Sequence, residues 1–453
     1  MLHGHCGQRV YLMSLTRLAC ICFLLATWAW LSGCSSIAEG VTTALIKSGG
    51  EDEKQEQCEV VGPAFQGMGA ALHAQSEESP VSGKGQNASK TKVMVVHGIG
   101  PAIPDYSVRL QRNVTRELGL NVRNRRSKRI ELRDPEFEGM DLGTLTVSRY
   151  LNNEGTQEIL FYELVWAEIT AREKRVLDYD TSERYRSRRA SVNHIAKEFL
   201  NDRISDPLIY VGDSHLKILQ SVDQAMCWTL YTDWNELPDG AAQACDRHKV
   251  ASVDDLKGYQ WVVITHSLGS RIVIDTMEFQ ARVVLKQFQS ELDAEKRDKA
   301  RELLQAWKDQ TIQVYMLANQ LPLLQLGRGE PEVVGQIDSY CRPEGGHYEE
   351  RIVKKLQVVA FSDPNDLLSY AIPPAYADEH MDSRLCPMVV NVSVNVVPTI
   401  DLFRVGEIAD PLEAHTEYDN NHRVLGFMTK GVGNEEGEQA AALGCEWLKT
   451  IED

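Results

Sequence analysis

The residues best placed to do chemistry lie in the run Trp261-Val262-Val263-Ile264-Thr265-His266-Ser267-Leu268-Gly269-Ser270. Apolar residues lead into a serine flanked by small ones, and Ile272, Val273, Thr276, Phe279 and Val283 then recur at helical spacing. The pattern predicts a buried strand, a sharp turn and a helix, with Ser267 at the apex. A serine hydroxyl is a weak nucleophile until a base takes its proton, so it must protrude where a histidine can reach it. Such a turn strains the backbone and needs small residues two positions to either side. Gly269 meets that need, while Thr265 is larger than the usual glycine. The helix start supplies unpaired N–H groups, Leu268 first among them, and a positive dipole end for a developing oxyanion. A serine and a glycine can also mark an ordinary strand-to-helix turn, so the partners decide the reading.

Three other segments supply them. Val93-Met94-Val95-Val96 is a continuous apolar run leading into His97-Gly98-Ile99-Gly100-Pro101. A strand that ends in His-Gly can present a backbone N–H with no side chain in the way, which makes Gly98 and Ile99 candidate oxyanion donors beside Leu268. His97 is expected to fix this turn rather than act as a base. The strand Leu356–Phe361 ends in Ser362-Asp363-Pro364-Asn365-Asp366-Leu367-Leu368, and the strand Met388–Val397 leads on to Glu413-Ala414-His415. Either aspartate could orient a histidine. Asp363, just before a proline, suits capping its own turn. Leu367 and Leu368 can pack back and fix Asp366, so Asp366 is preferred.

The order serine, carboxylate, histidine, each after its own strand, resembles the α/β-hydrolase family over roughly Lys92 to Met428. Asn365-Asp366-Leu367-Leu368 also looks like the acid segment of lipases. The resemblance implies an α/β fold whose mostly parallel central sheet is flanked by helices, with Ser267 as nucleophile, His415 as base and Asp366 as its orienting acid. It implies ester cleavage through an acyl-enzyme, with no metal or organic cofactor. Two rivals share these residues: a non-catalytic envelope lipoprotein using the fold as a binding module, and a thioesterase, peptidase or acyltransferase with the same triad.

The rest of the chain must position these loops. It has 453 residues, 43% hydrophobic and 25% charged, enough for a large core. A formal net charge of −17 argues against nucleic acid as a partner. Residues 1–33 read as a secretory signal: Arg9 and Arg17, then the short apolar run Leu18 to Leu31. The run ends in Leu31-Ser32-Gly33-Cys34, which resembles the bacterial lipobox. That resemblance implies lipidation at Cys34 and a place in the cell envelope, with Ser35 favouring the outer membrane, facing the periplasm. Residues 34–90 read as a lipidated N-terminus and polar tether, part of it pinned by Cys58, and residues 91–453 as the hydrolase domain. Within it, residues 167–258 read as a helical cap insertion over the site, or else as peripheral helices. Arg123, Arg125, Arg126, Lys128 and Arg129 read as a solvated basic face. Glu291 to Trp307 continues the helical region, and Glu435 to Ile451 reads as a closing helix. Cys58, Cys227, Cys245, Cys341, Cys386 and Cys445 form an even set in an exported chain, so disulfides are expected, with Cys227–Cys245 the preferred local pair.

Overall fold

Strands with apolar residues at both parities are buried on both faces, and the centre of this chain is built from them. The computed structural model describes residues 58–449 except 71, 73–88, 123–125, 138, 232–233, 246–255, 257, 290–300, 303, 402–406 and 434–437. The signal segment, Cys34, Arg123, Arg125 and much of the Glu291–Trp307 stretch lie outside the described residues. In chain order the strands are β1 (Cys58–Val61), β2 (Phe65–Gln66), β3 (Ser89–Val96), β4 (Asn121–Val122), β5 (Lys128–Arg133), β6 (Asp141–Leu151), β7 (Gln157–Val165), β8 (Ala241–Gln243), β9 (Tyr259–His266), β10 (Thr311–Leu317), β11 (Lys355–Ser362), β12 (Pro387–Val394), β13 (Ile400–Asp401), β14 (Glu407–Ile408), β15 (Gly431–Val432) and β16 (Glu446–Leu448).

A 12-stranded sheet runs β16-β1-β12-β11-β10-β9-β3-β7-β6-β5-β8, with β4 paired to β6. From β12 across to β7 every neighbouring pair is parallel. Antiparallel pairing appears where β6 meets β7 and β5, and where β1 meets β12. The chain leaves β3 toward β7 on one side, then returns to β9 and proceeds outward through β10, β11 and β12. The strand order therefore reverses between β3 and β9, and a crevice opens beyond the carboxyl ends of strands at such a point. Val96 of β3 is level with Thr265 of β9, so His97-Gly98 and His266-Ser267 emerge side by side there.

Alternation along β3 and β9 feeds two apolar layers. Met94 and Val96 pack with Ile272 and Val273 of the Gly269–Gln289 helix and with Leu219 and Val222 of the His215–Tyr231 helix. Val93, Val95, Val262 and Ile264 join Leu110 and Val114 of the Val108–Glu117 helix and Val424 and Phe427 of the His422–Lys430 helix. Each such side chain contributes about 1.5–3 kcal/mol by leaving water, which makes the strand ends a rigid base for the loops they carry.

Several expectations need correction. The sheet does not begin near residue 91: Cys58–Val61 forms β1 inside the main sheet, so part of the expected 34–90 tether belongs to the fold. The expected closing helix reduces to Glu438–Ala442, because Gly444 turns the chain at positive φ and Glu446–Leu448 then pairs parallel with β1. The 167–258 segment is not one cap. Its apolar helix His215–Tyr231, with Ile218, Leu219 and Val222 buried, covers the sheet beside the Gly269–Gln289 helix, and Ala241–Gln243 joins the sheet edge. Among its described residues, the short helices between Ala167 and Tyr210 reach the loop after β3, where Asp206 accepts the Gly100 N–H. Of the basic face, Lys128 and Arg129 sit on β5, where the Lys128 ammonium donates to the carbonyls of Trp234 and Leu237 at 2.7 and 2.6 Å.

Three disulfides link Cys58 to Cys445, Cys227 to Cys245 and Cys341 to Cys386, with Cα separations of 4.5, 6.0 and 5.3 Å. Among the described residues no helix is long and apolar enough to cross a membrane, and no cluster of three or more His, Cys, Asp or Glu could hold a metal ion.

Candidate active site

Ser267 directly follows β9, two residues before the helix that starts at Gly269. Its φ is +54°, a left-handed conformation costing on the order of 1–3 kcal/mol for a non-glycine residue. Neighbouring contacts hold it there. The Ser267 N–H donates to the Leu317 carbonyl at the end of β10, 2.9 Å away. The Leu268 carbonyl accepts from the N–H groups of Arg271 and Ile272, so Leu268 caps the helix and its own N–H belongs to the first, unpaired turn. A Cβ on Gly269 would lie 2.7 Å from the Val96 carbonyl oxygen and 2.8 Å from that of His97, which explains the glycine. Thr265, too large by the usual pattern, is accommodated through its buried hydroxyl, which donates to Ser270 Oγ at 3.2 Å.

The loop after β3 presses directly on this turn. A Cβ on Gly98 would stand 2.6 Å from Ser267 Cβ and 2.7 Å from the His266 carbonyl oxygen, so only glycine fits. His97 is buried and stacks on Trp166 with ring centroids 4.7 Å apart. Its Nε2 accepts the Trp166 N–H at 3.2 Å, which leaves the proton on Nδ1 to be donated to the Gly98 carbonyl at 2.8 Å. Burial drives the His97 imidazole down to about 4, against the raising effect of that bond to Gly98, so the ring is neutral near pH 7. His97 therefore sets the Gly98–Ile99 peptide. Because that peptide is trans, the Ile99 N–H points opposite to the anchored carbonyl.

His415 closes the Pro411–Thr416 helix, whose first turn is capped by Asp410. Its Nδ1 lies 2.9 Å from each carboxylate oxygen of Asp366. Asp366 also accepts the Leu368 N–H at 3.0 Å and the Tyr418 hydroxyl at 3.1 Å. Burial pushes the Asp366 carboxyl up, but the His415 hydrogen bond and charge, with the Leu368 N–H, outweigh it and hold the group below the usual carboxylate range. Burial and the neighbouring Asp366 keep the Tyr418 phenol far above its ordinary value, so it remains a donor. Asp363 goes elsewhere: one oxygen accepts the Asn365 N–H at 2.7 Å and the other the Val396 N–H at 2.7 Å. Of the two aspartates, Asp366 faces the histidine and Asp363 braces the turn.

His266 ties the two halves of the site together. Its Nε2 donates to the His415 carbonyl at 2.7 Å and its ring meets the His415 ring edge-on at 5.0 Å. Burial drives the His266 imidazole down to about 3, helped by the His415 charge. The residue preceding Ser267 thus ties the histidine-bearing turn to the end of β9. Ser267 Oγ and His415 Nε2 are both buried, and neither has a hydrogen-bond partner among the described residues. Beyond His415, Arg109 forks to Glu417 at 2.9 Å and Asp419 at 2.5 Å, clamping the following turn to the Val108–Glu117 helix.

The structure thus brings together Ser267, Leu268, Gly98, Ile99, Asp366 and His415 at one end of the sheet. Three contributors carried no distinctive sequence signal: Tyr418, His266 and Arg109. Tyr418 follows His415 by three residues and His266 directly precedes the serine, so proximity in sequence was the available clue. No family model, no curated protein and no solved structure matches the chain, so the site is read from its own geometry.

Proposed function

We propose that the chain is a serine hydrolase of the α/β-hydrolase type that cleaves carboxylic esters, lipid or other acyl esters, through an acyl-enzyme. The observation that carries this is the buried His415–Asp366 pair, tied by His266 to the end of β9, where the next residue is a serine at positive φ at the strand-order reversal. In the first step the Ser267 proton passes to His415 Nε2 as the Oγ–carbon bond forms, and the His415 cation is stabilised by Asp366. The carbonyl oxygen becomes an oxyanion facing the N–H groups of Leu268 and of Ile99, while Gly98 keeps the approach open. Collapse breaks the bond to the alcohol, which leaves with the proton from His415. Water, giving its proton to His415, then releases the acid and restores Ser267. The hydrogen bond from serine to histidine is one that tightens as the substrate complex assembles.

The lipobox-like Leu31-Ser32-Gly33-Cys34 supports an envelope location, with the domain carried on a lipidated Cys34 at the membrane surface. The proposed partners are therefore an ester substrate and a membrane, and not a nucleic acid. The test is labelling with a fluorophosphonate. Wild type is expected to react at Ser267 alone and to hydrolyse p-nitrophenyl esters, while Ser267→Ala folds normally and loses turnover by several orders of magnitude. Labelling at another serine, or full activity in Ser267→Ala, refutes the proposal.

A further inference from the structure

The Ser205–Tyr210 helix bonds both to the loop after β3 and to the helix that follows Ser267. Asp206, fully buried, accepts the Gly100 N–H through Oδ2 at 2.6 Å, and its Oδ1 pairs with Lys174 Nζ at 2.6 Å. Lys174 also donates to the Asp202 carbonyl at 2.5 Å. From the same helix the Tyr210 hydroxyl bonds Asp275, which holds Arg271 of the helix that follows Ser267.

The bond to Gly100 matters because of what lies one residue earlier. Ile99 sits between two peptide units. The first is fixed by His97 Nδ1 donating to the Gly98 carbonyl, and the second by Gly100 donating to Asp206. Gly100 has φ +96°, a conformation open to glycine that needs an external hold to be unique. A Cβ there would also meet the Arg203 side chain at 3.1 Å, so this short helical stretch packs onto the loop as well as bonding it. An apolar side chain could fill the space of Asp206 but could not accept that N–H.

We infer that Asp206, with Lys174 as its countercharge, is a positioning residue that aims the Ile99 N–H at the reacting oxygen, so that the helical stretch Ala167 to Tyr210 sets the rate of acyl transfer. This rests on the serine-hydrolase reading above. The role is to bracket the loop; Asp206 itself touches neither substrate nor nucleophile.

The experiment uses the full chain in detergent with p-nitrophenyl butyrate and its thionoester analogue, whose C=S sulfur is a weak acceptor and draws little on oxyanion donors. Asp206→Leu is expected to lower kcat on the ester by about 10- to 100-fold with KM within about threefold, a loss smaller than removing a donor outright. The thionoester rate should fall much less, so the ester-to-thionoester ratio drops about tenfold or more. Asp206→Asn, which keeps an acceptor oxygen, should recover most of the ratio. Parallel losses on both substrates, or no loss, overturn the inference. If Asp206→Leu alone does not fold, the double variant with Lys174→Met removes both charges together, and the same ratio is read. A wild-type chain inert to both substrates and to fluorophosphonate takes down the hydrolase reading, and this inference with it.

Discussion

Substituting each aspartate of the loop after β11 by asparagine separates orientation of the histidine from support of the turn. Asp366 presents both oxygens to His415 Nδ1 at 2.9 Å while taking N–H and O–H donors from Leu368 and Tyr418. In Asp366→Asn the amide oxygen can keep the Leu368 N–H at the Oδ1 position, while the Tyr418 hydroxyl, which also reaches Ser369 Oγ at 3.2 Å, turns to accept from an NH2 group at the Oδ2 position that faces His415 as well. Nδ1 must then accept, the ring proton moves to Nε2, and the base is occupied. Turnover should fall by roughly four orders of magnitude with little change in folding, by the behaviour of the triad template. Asp363 differs: its carboxylate accepts two backbone N–H groups, from Asn365 and Val396, and the Asn365 side-chain amide at 3.1 Å. Asparagine supplies one acceptor and sets an NH2 against the other donor. One charge-assisted bond is lost and a buried N–H is orphaned, a cost of about 2–3 kcal/mol, more than the roughly 1 kcal/mol of a lost cap. Activity at low temperature should stay within severalfold of wild type. Hydrolysis of p-nitrophenyl butyrate and urea unfolding, run side by side, read both effects. An inactive but normally stable Asp363→Asn, paired with an active Asp366→Asn, refutes the assignment.

Gly98→Ala places a Cβ 2.6 Å from Ser267 Cβ and against the His266 backbone, so kcat/KM should drop at least about a hundredfold, with overpacking costing about 1–3 kcal/mol; full activity in this variant would show that the loop does not abut the nucleophile. His97 and His266 are buried with values lowered to about 4 and about 3, so between those values and about 6.5 the unfolded chain binds protons that the folded chain does not. Stability contributed by the neutral rings is therefore present above pH 6.5 and is lost as pH falls, by roughly 2 kcal/mol for each ring at pH 5; equal urea midpoints at pH 7.5 and pH 5 contradict this. Cys34→Ala should abolish incorporation of labelled palmitate and release the chain from the membrane fraction, and unchanged labelling would sink the anchor proposal.

What the sequence made legible was local. Val93–Val96, Trp261–Ile264 and Leu356–Phe361 are apolar at both parities, and the structure makes each a strand buried on both faces. The loops that follow begin where those runs stop, so the positions of His97-Gly98, Ser267 and Asp366 came with them. The choice between Asp363 and Asp366 rested on Pro364 and on the two leucines; Asp366 does face His415 and Asp363 its own turn, but Leu367 is exposed rather than packed back, and Asp366 is held instead by the Leu368 N–H and the Tyr418 hydroxyl. What stayed hidden depends on distant surfaces. The helix pattern of His215–Tyr231 does not say whether its apolar side meets a sheet or overhangs a crevice, and the sheet takes it. The pattern in Glu435–Ile451 was overridden by strand pairing with β1, joined through a bridge spanning 387 residues. The Asp206–Gly100 bond links residues 106 apart and leaves no periodicity to read.

The Cys58–Cys445 bridge has a consequence for the chain as a covalent object. It closes nearly the whole domain into a ring, from β1 at the start to the residue just before β16 at the end, and the other two disulfides lie inside that ring as smaller loops. A single cut by a protease anywhere between Cys58 and Cys445 opens the ring but sheds no fragment. Tension applied through the leading segment enters at Cys58 and passes across the sulfurs to the trailing end, so β1 and β16 are loaded together and cannot be peeled off in turn. The segments bearing Gly98, Ser267, Asp366 and His415 lie within a covalent loop that is closed at the edge of the sheet.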